Sequence, residues 1–170
     1  AGWGMKVGAA VPVRRSRLLA GAGPHSEALR AETGFGVALG VLWRRHVCYL
    51  HHGSRGRSPL AAITGRNLFP ADISSIGKIL LAERSVGEVR TLYRDRTTDD
   101  EPVDVRGLLG ELKQVRAQGY AVFEGRSVAV AVGRPAVAGL ALMGGVKCLG
   151  GGVVAKLHAA AEAIAEDMKP

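Results

Sequence analysis

The chain has 170 residues, 47% of them apolar and 22% charged, and a formal net charge of +8 at neutral pH. Length and composition together suit one soluble globular domain with ample material for a core. They exclude a membrane-spanning helix, because no apolar run approaches the ~20 residues that one requires.

The charge is uneven: residues 1–60 hold nine Lys/Arg against two Asp/Glu, whereas residues 61–170 are nearly balanced. A basic segment can be an electrostatic footprint for nucleic acid. The simpler reading puts Arg14, Arg15 and Arg17 on a solvated helix and Arg44, Arg45, Arg55 and Arg57 on turns. No aromatic or Gly-rich recognition motif accompanies them, which favours the simpler reading. Ala1 to Val13 lacks a basic start followed by an apolar stretch, so no signal peptide is expected. Cys48 and Cys148 suggest free thiols and a reducing, cytoplasmic location; a disulfide between them stays open.

In chain order, Val11-Pro12 through Ala20 reads as a short helix with proline near its first position. Gly21-Ala-Gly23-Pro24 should break it, and His25 to Glu32 should form a second helix stopped by Gly34. Gly36–Trp43 and His46–His51 are strands around an Arg44-Arg45 turn. A polar loop over Gly53–Ser58 precedes a candidate strand, Leu60–Thr64. Asp72 is a candidate N-cap for a helix running to about Glu83, and a further helix spans Val86–Tyr93. Arg94–Pro102 is a charged loop. Asp104 caps a helix whose Val105, Leu108, Leu109, Leu112 and Val115 follow a one-sided stripe, and Gly119 closes it. Gly144–Gly152 is a connector, and Val153 to Met168 is a closing amphipathic helix.

Between them lies a hairpin, Ser127–Val132 and Ala136 to Met143, around Gly133-Arg134-Pro135. With a three-residue loop, Ser127 pairs with Ala141, Ala129 with Gly139 and Ala131 with Val137. One face then holds Val128, Val130, Val132, Leu140 and Leu142. The other holds only small residues, including Ser127, Ala129 and Ala141, and leaves room for a ligand, a helix or another subunit. Strands in two groups with helices before, between and after them give an α+β class with a mainly antiparallel sheet.

Three chemical constellations weaken on inspection. Gly77-Lys78 is followed by Ile79, and the Gly150–Gly152 run carries no Lys-Ser, so a phosphate-binding loop is not supported. His46, Cys48 and His52 share a strand parity, but no second pair of ligands completes a zinc set. No nucleophile elbow or activated cysteine stands out. No catalytic residue, metal or cofactor is therefore expected.

Several stretches carry a resemblance. "Arg-Ala-Gln-Gly119-Tyr-Ala-Val", "Val-Ala-Gly139-Leu-Ala-Leu-Met-Gly", "Ser74-Ser-Ile-Gly-Lys-Ile-Leu-Leu-Ala82", "Ser26-Glu-Ala-Leu-Arg-Ala-Glu-Thr" and "Leu157-His-Ala-Ala-Ala-Glu-Ala-Ile" occur in the order seen in IclR-type bacterial transcription regulators. The chain resembles their C-terminal effector-binding domain. That resemblance implies a curved GAF/profilin-like sheet with helices packed around it. It implies a linker-helix remnant at 1–23 and an effector-binding domain at 24–170. It also implies a homodimer or homotetramer, with DNA contacted only through a winged helix-turn-helix outside this chain, so the chain is expected to be a fragment.

The family's effector positions, carried over residue by residue, fall on Ser75, Ile76, Phe123, Ser127, Ala141 and Met143, with Ala129 on the same small face. Here the acidic stretch after Gly-Tyr shortens to Phe123-Glu124-Gly125, and only Ser75 and Ser127 keep polar side chains. A pocket with few polar anchors suits a mainly apolar or aromatic ligand, with one acid group docking at the helix start around Ser74-Ser75. The alternatives are an enzyme on a similar scaffold, or a pure oligomerisation module with a vestigial pocket.

Overall fold

A computed structural model describes residues 7–53, 68–94, 102–145 and 149–170. The elements are α1 (Val7–Thr33), β1 (Gly36–Trp43), β2 (His46–Gly53), β3 (Leu68–Pro70), a 3-10 turn (Ala71–Ile73), α2 (Ser75–Leu81), α3 (Val86–Arg94), α4 (Val105–Gln118), β4 (Ala121–Phe123), β5 (Ser127–Val132), β6 (Ala138–Met143) and α5 (Gly151–Asp167). The strands form one six-stranded sheet in the order β3-β2-β1-β6-β5-β4, and each recorded pairing is antiparallel. The expected α+β class is therefore observed.

The two sheet faces differ in side-chain size, and that difference organises the rest. One face carries Val37, Leu39, Val128, Val130, Leu140 and Leu142, all essentially buried. α1 and α5 cover it through Leu18, Ala22 and Leu29 and through Leu157, Ala161 and Ile164. The other face is built from rows of small residues. Ala38, Ala141, Ala129 and Ala121 lie side by side across four strands, and Gly40, Gly139 and Ala131 form the next row. Nothing on that floor projects far, so α2 settles directly onto it. A β-carbon added at Gly139 would lie 2.8 Å from Ile76 Cγ2, and one at Gly40 3.3 Å from the same atom.

Several expectations are corrected. α1 is one helix of 27 residues, running through Gly21–Pro24 without a break. Proline removes the N–H that would bond to Ala20. Ala20, Gly23 and Pro24 face solvent, so water can satisfy the freed carbonyl, while Leu18, Ala22, Ser26 and Leu29 stay buried on one stripe. Ser74, rather than Asp72, caps α2: its hydroxyl accepts from the Gly77 N–H at 3.2 Å. Asp72 instead sits in the 3-10 turn and accepts from the Tyr93 hydroxyl at 3.5 Å. The hairpin loop spans five residues, so Ser127 pairs with Met143, Ala129 with Ala141 and Ala131 with Gly139. The register differs by two, which leaves each residue on its expected face. β3 and β4 are additional short strands. The candidate strand at Leu60–Thr64 and the polar loop after residue 53 lie outside the described residues.

Other local readings match. Asp104 caps α4 through the Gly107 N–H at 3.0 Å. Gly119, at φ 80°, ends that helix in the left-handed region with its N–H on the Val115 carbonyl.

Candidate functional site

The seven expected ligand residues fall on or against the small-residue face, in two groups. Ala129 and Ala141 are 0% and 2% exposed and lie in the alanine row beneath α2. Ile76, 1% exposed, is the side chain that fills the space above Gly40 and Gly139. The middle of the face is therefore occupied by protein. The remaining positions gather at one end, where Phe123, Ser127 and Met143 are adjacent across β4, β5 and β6 and each is half-buried. Above them Ser75, 3% exposed, accepts a hydrogen bond from the Ser127 hydroxyl at 2.8 Å. One edge of the floor thus combines a paired hydroxyl, an aromatic ring and a thioether.

Lys78 was not singled out for a site. It lies on α2 one turn beyond Ser75, is 9% exposed, and its ammonium sits 5.4 Å from the centre of the Phe123 ring. It also forms an ion pair with Glu111 of α4. Glu111 is half-exposed, so solvent screens the pair, but the ammonium itself is desolvated and is stabilised by the ring face. In the sequence Lys78 belongs to the Ser74–Ala82 stretch and to an unsupported phosphate-loop dipeptide, and neither signals this neighbourhood. Tyr49 adds a polar contact nearby, its hydroxyl 3.4 Å from Ser74 Oγ. Burial pushes the Tyr93 hydroxyl well above the ordinary phenol range, so it stays protonated.

The metal reading loses its geometry. His46 pairs with Trp43 and Cys48 with Val41, but the register shifts between Leu39 and Gly40, and His52 pairs with Ala38. The bulge therefore breaks the shared parity of the three residues. Among the described residues no cluster of three or more His, Cys, Asp or Glu could hold a metal. Cys48 is a free thiol, and Cys148 lies outside the described residues. None of the described helices is long and apolar enough to cross a membrane.

A separate cavity of 630 Å³ opens at the other end of the sheet, between Leu42, Arg44, Arg84 and the α3 residues Glu88, Thr91 and Leu92. Ser85 and Glu88 form a reciprocal cap at the start of α3, at 2.8 and 3.1 Å. That hydrogen bonding holds the Glu88 carboxyl below its usual range.

The sheet order and the helix positions can be set against known proteins. The model described as bacterial transcriptional regulator IclR, C-terminal, matches residues 11–134, well over half of the chain. The chain belongs to the IclR family. Solved structures agree. The C-terminal domain of the Escherichia coli transcriptional regulator KdgR is 29% identical, with a TM-score of 0.71, over 89% of this chain and 98% of that one. An IclR homologue from Microbacterium hydrocarbonoxydans, complexed with 4-hydroxybenzoate, is 21% identical with a TM-score of 0.72, over 91% and 69%. The inducer-binding domain of a PobR double mutant from Acinetobacter, complexed with 3-hydroxybenzoic acid, is 22% identical with a TM-score of 0.67, over 85% and 95%. No curated protein matches significantly. The family and these neighbours are transcriptional regulators rather than enzymes, which sets aside the enzyme reading of this IclR domain.

Proposed function

We propose that this IclR domain senses a small, mainly apolar or aromatic ligand with a single acid group, bound at the Phe123–Ser127–Met143 edge of the floor against Ser75 and Ile76. The observation that carries the reading is the contrast along one sheet face. α2 fills the middle, whereas the Ser127 end stays half-buried and holds the hydroxyl pair. Ala129 and Ala141 then act as the flat floor that brings α2 close, and Ile76 as the wall. Lys78 supplies positive charge at the Phe123 wall, where the ligand's carboxylate would otherwise be buried at high cost. The helix start is a poorer anchor than the sequence implied, because Ser74 already satisfies the Gly77 N–H. Two neighbours complexed with hydroxybenzoates make aromatic mono-acids the first class to try.

Calorimetry of the chain against 4-hydroxybenzoate, with glyoxylate and pyruvate as comparisons, tests this. The aromatic acid should bind, and the two small acids should show no millimolar binding. Tight binding of glyoxylate would overturn the apolar-ligand reading, and silence across aromatic acids with the fold intact would favour the oligomerisation module. The direct Ser127–Ser75 bond is the observation on that side.

In the same reading, residues 1–23 serve as the linker-helix remnant, 24–170 as the effector-binding domain, and the protein works in the cytoplasm. Operator recognition belongs to a domain outside this chain. Self-association is assigned to the β3 edge. Trp43 is 61% exposed, Leu68 49%, Ile73 42% and Phe69 41%. The ladder places Pro70 beside His46 and His46 beside Trp43, so these side chains gather on one rim. Light scattering at tens of micromolar should report a dimer or tetramer that W43E/F69E converts to monomer; a monomeric parent chain would refute the assignment.

A further inference from the structure

We propose that the end of the domain opposite the Ser127 edge is a sequence-independent contact surface for the phosphate backbone of duplex DNA. The sheet register brings the Arg44 turn and the 133–137 turn to the same end, since Gly40 pairs with Gly139 and Val132 with Ala138. The first half of α1 and the last turn of α5 arrive there too, with Arg17, Arg134 and Lys169 lining one cavity of 460 Å³. A second cavity, of 310 Å³, shares Pro135 and Val137 with the first and continues to Arg84. The 630 Å³ cavity shares Arg84 and continues to Arg44. Five cations drawn from α1, the two turns, the α2–α3 connection and the end of α5 therefore border a furrow-like row of three cavities that share lining residues.

The carboxylates on this strip are Glu83, Glu88 and Glu166. Glu88 caps α3 through Ser85, which favours its ionised form, and Glu166 pairs with Lys169 at 2.6 Å, so five cations against three carboxylates leave the strip an excess of about two positive charges. Among the described residues, Arg17, Arg44 and Arg134 form no ion pair within the strip or elsewhere. Three exposed guanidiniums held apart along an open furrow do not converge on one small anion. They suit a polyanion that repeats its charge, and their planar forks match phosphate oxygens. No aromatic residue lines the three cavities, and Trp43 beside Arg44 is assigned to self-association, so a duplex is favoured over a single strand. The contact carries no sequence information, because it reaches phosphate and not base edges. The sequence placed most of the excess charge in residues 1–60 but scattered it over separate elements. Only the fold draws Arg17 and Arg44 together with Arg84, Arg134 and Lys169.

The choice of DNA rests on the regulator reading, but the test does not use the effector, so the two can fail separately. Fluorescence anisotropy of the whole chain with a labelled duplex of arbitrary sequence is measured across a salt series. Four neutralised phosphates, with release of their counterions, would give a log–log slope of about −3.6. R17Q/R44Q/R134Q should weaken binding at low salt at least tenfold and flatten the slope by between ~2 and ~3. R106Q/K113Q/R126Q, which removes the same charge elsewhere, should leave most of the affinity. All six side chains are exposed, and circular dichroism checks that both variants fold. Absence of duplex binding at low salt, equal losses in the two triples, or equal affinity for polyglutamate would each overturn the proposal.

Discussion

Gly77→Ala should lower the stability of this domain by about 2 kcal/mol, although alanine is the better helix former. The new β-carbon would lie 2.1 Å from the Ala71 carbonyl oxygen and 2.4 Å from the Ala71 Cα. Both are backbone atoms, so no rotamer change relieves the overlap. The 3-10 turn at Ala71–Ile73 must retreat from α2. Retreat strains the Ser74 cap and moves Ala71, which is fully buried, out of the core. Overpacking of this kind costs roughly 1–3 kcal/mol or more, against a propensity gain of at most about 1 kcal/mol. For a chain of this size the melting temperature should fall by between ~4 and ~8 °C. Gly110→Ala supplies the contrast. It is equally helical, exposed in α4, and has nothing within 4 Å of its added carbon. The same substitution there should raise stability by several tenths to about 1 kcal/mol. Thermal melts of the two variants should therefore move in opposite directions. A neutral or stabilised Gly77→Ala would mean that α2 is not pressed against the turn.

Features set by a few neighbouring residues were legible in the sequence. Asp104 and Gly119 bound α4 because cap chemistry is local, and the Val/Leu-versus-Ala/Gly division of the β5–β6 hairpin survives any even register shift. What was not legible depended on tertiary partners. Gly21 and Pro24 signal a break, but the stripe of Leu18, Ala22 and Leu29 buries against α5 on both sides of them and keeps α1 whole. Asp72 and Ser74 are both good caps by residue type, but a 3-10 turn takes up Asp72 and leaves Ser74 immediately before α2. β4 is three residues long, too short to show a period. The bulge beside Leu39 leaves no mark in composition, yet it separates His46 and Cys48 from His52.

The site follows the same division. The small floor could be read directly from alternation. Its occupant in the middle could not, because nothing in the sequence says that Ile76 rather than a ligand sits over Gly139. Nor could the neighbourhood of Lys78, whose contacts to Glu111 and Phe123 join elements 33 and 45 residues away in the chain.

Ser127→Val should abolish most aromatic-acid binding while leaving the domain folded. Valine is β-branched and suits a strand at least as well as serine. It deletes the hydroxyl that donates to Ser75 at 2.8 Å and adds methyl groups at the half-buried edge between Phe123 and Met143. Ser75 is 3% exposed, so its hydroxyl loses a partner, at a cost of about 1–3 kcal/mol in stability. The fold tolerates that loss, because the alanine row and the packing of α2 on Gly40 and Gly139 are untouched. The ligand loses both a polar anchor and the space beside it. An affinity drop of at least tenfold, worth about 1.4 kcal/mol, is expected by calorimetry with 4-hydroxybenzoate. The 630 Å³ cavity is the rival location, since Arg44 and Arg84 could hold a carboxylate there and Leu42 and Leu92 an aromatic ring. Thr91→Phe narrows that cavity from an exposed position on α3 and leaves the Ser127 edge alone. If Thr91→Phe removes binding and Ser127→Val does not, the effector sits at the wrong end of the sheet for this reading, and the small-residue face is only the seat of α2.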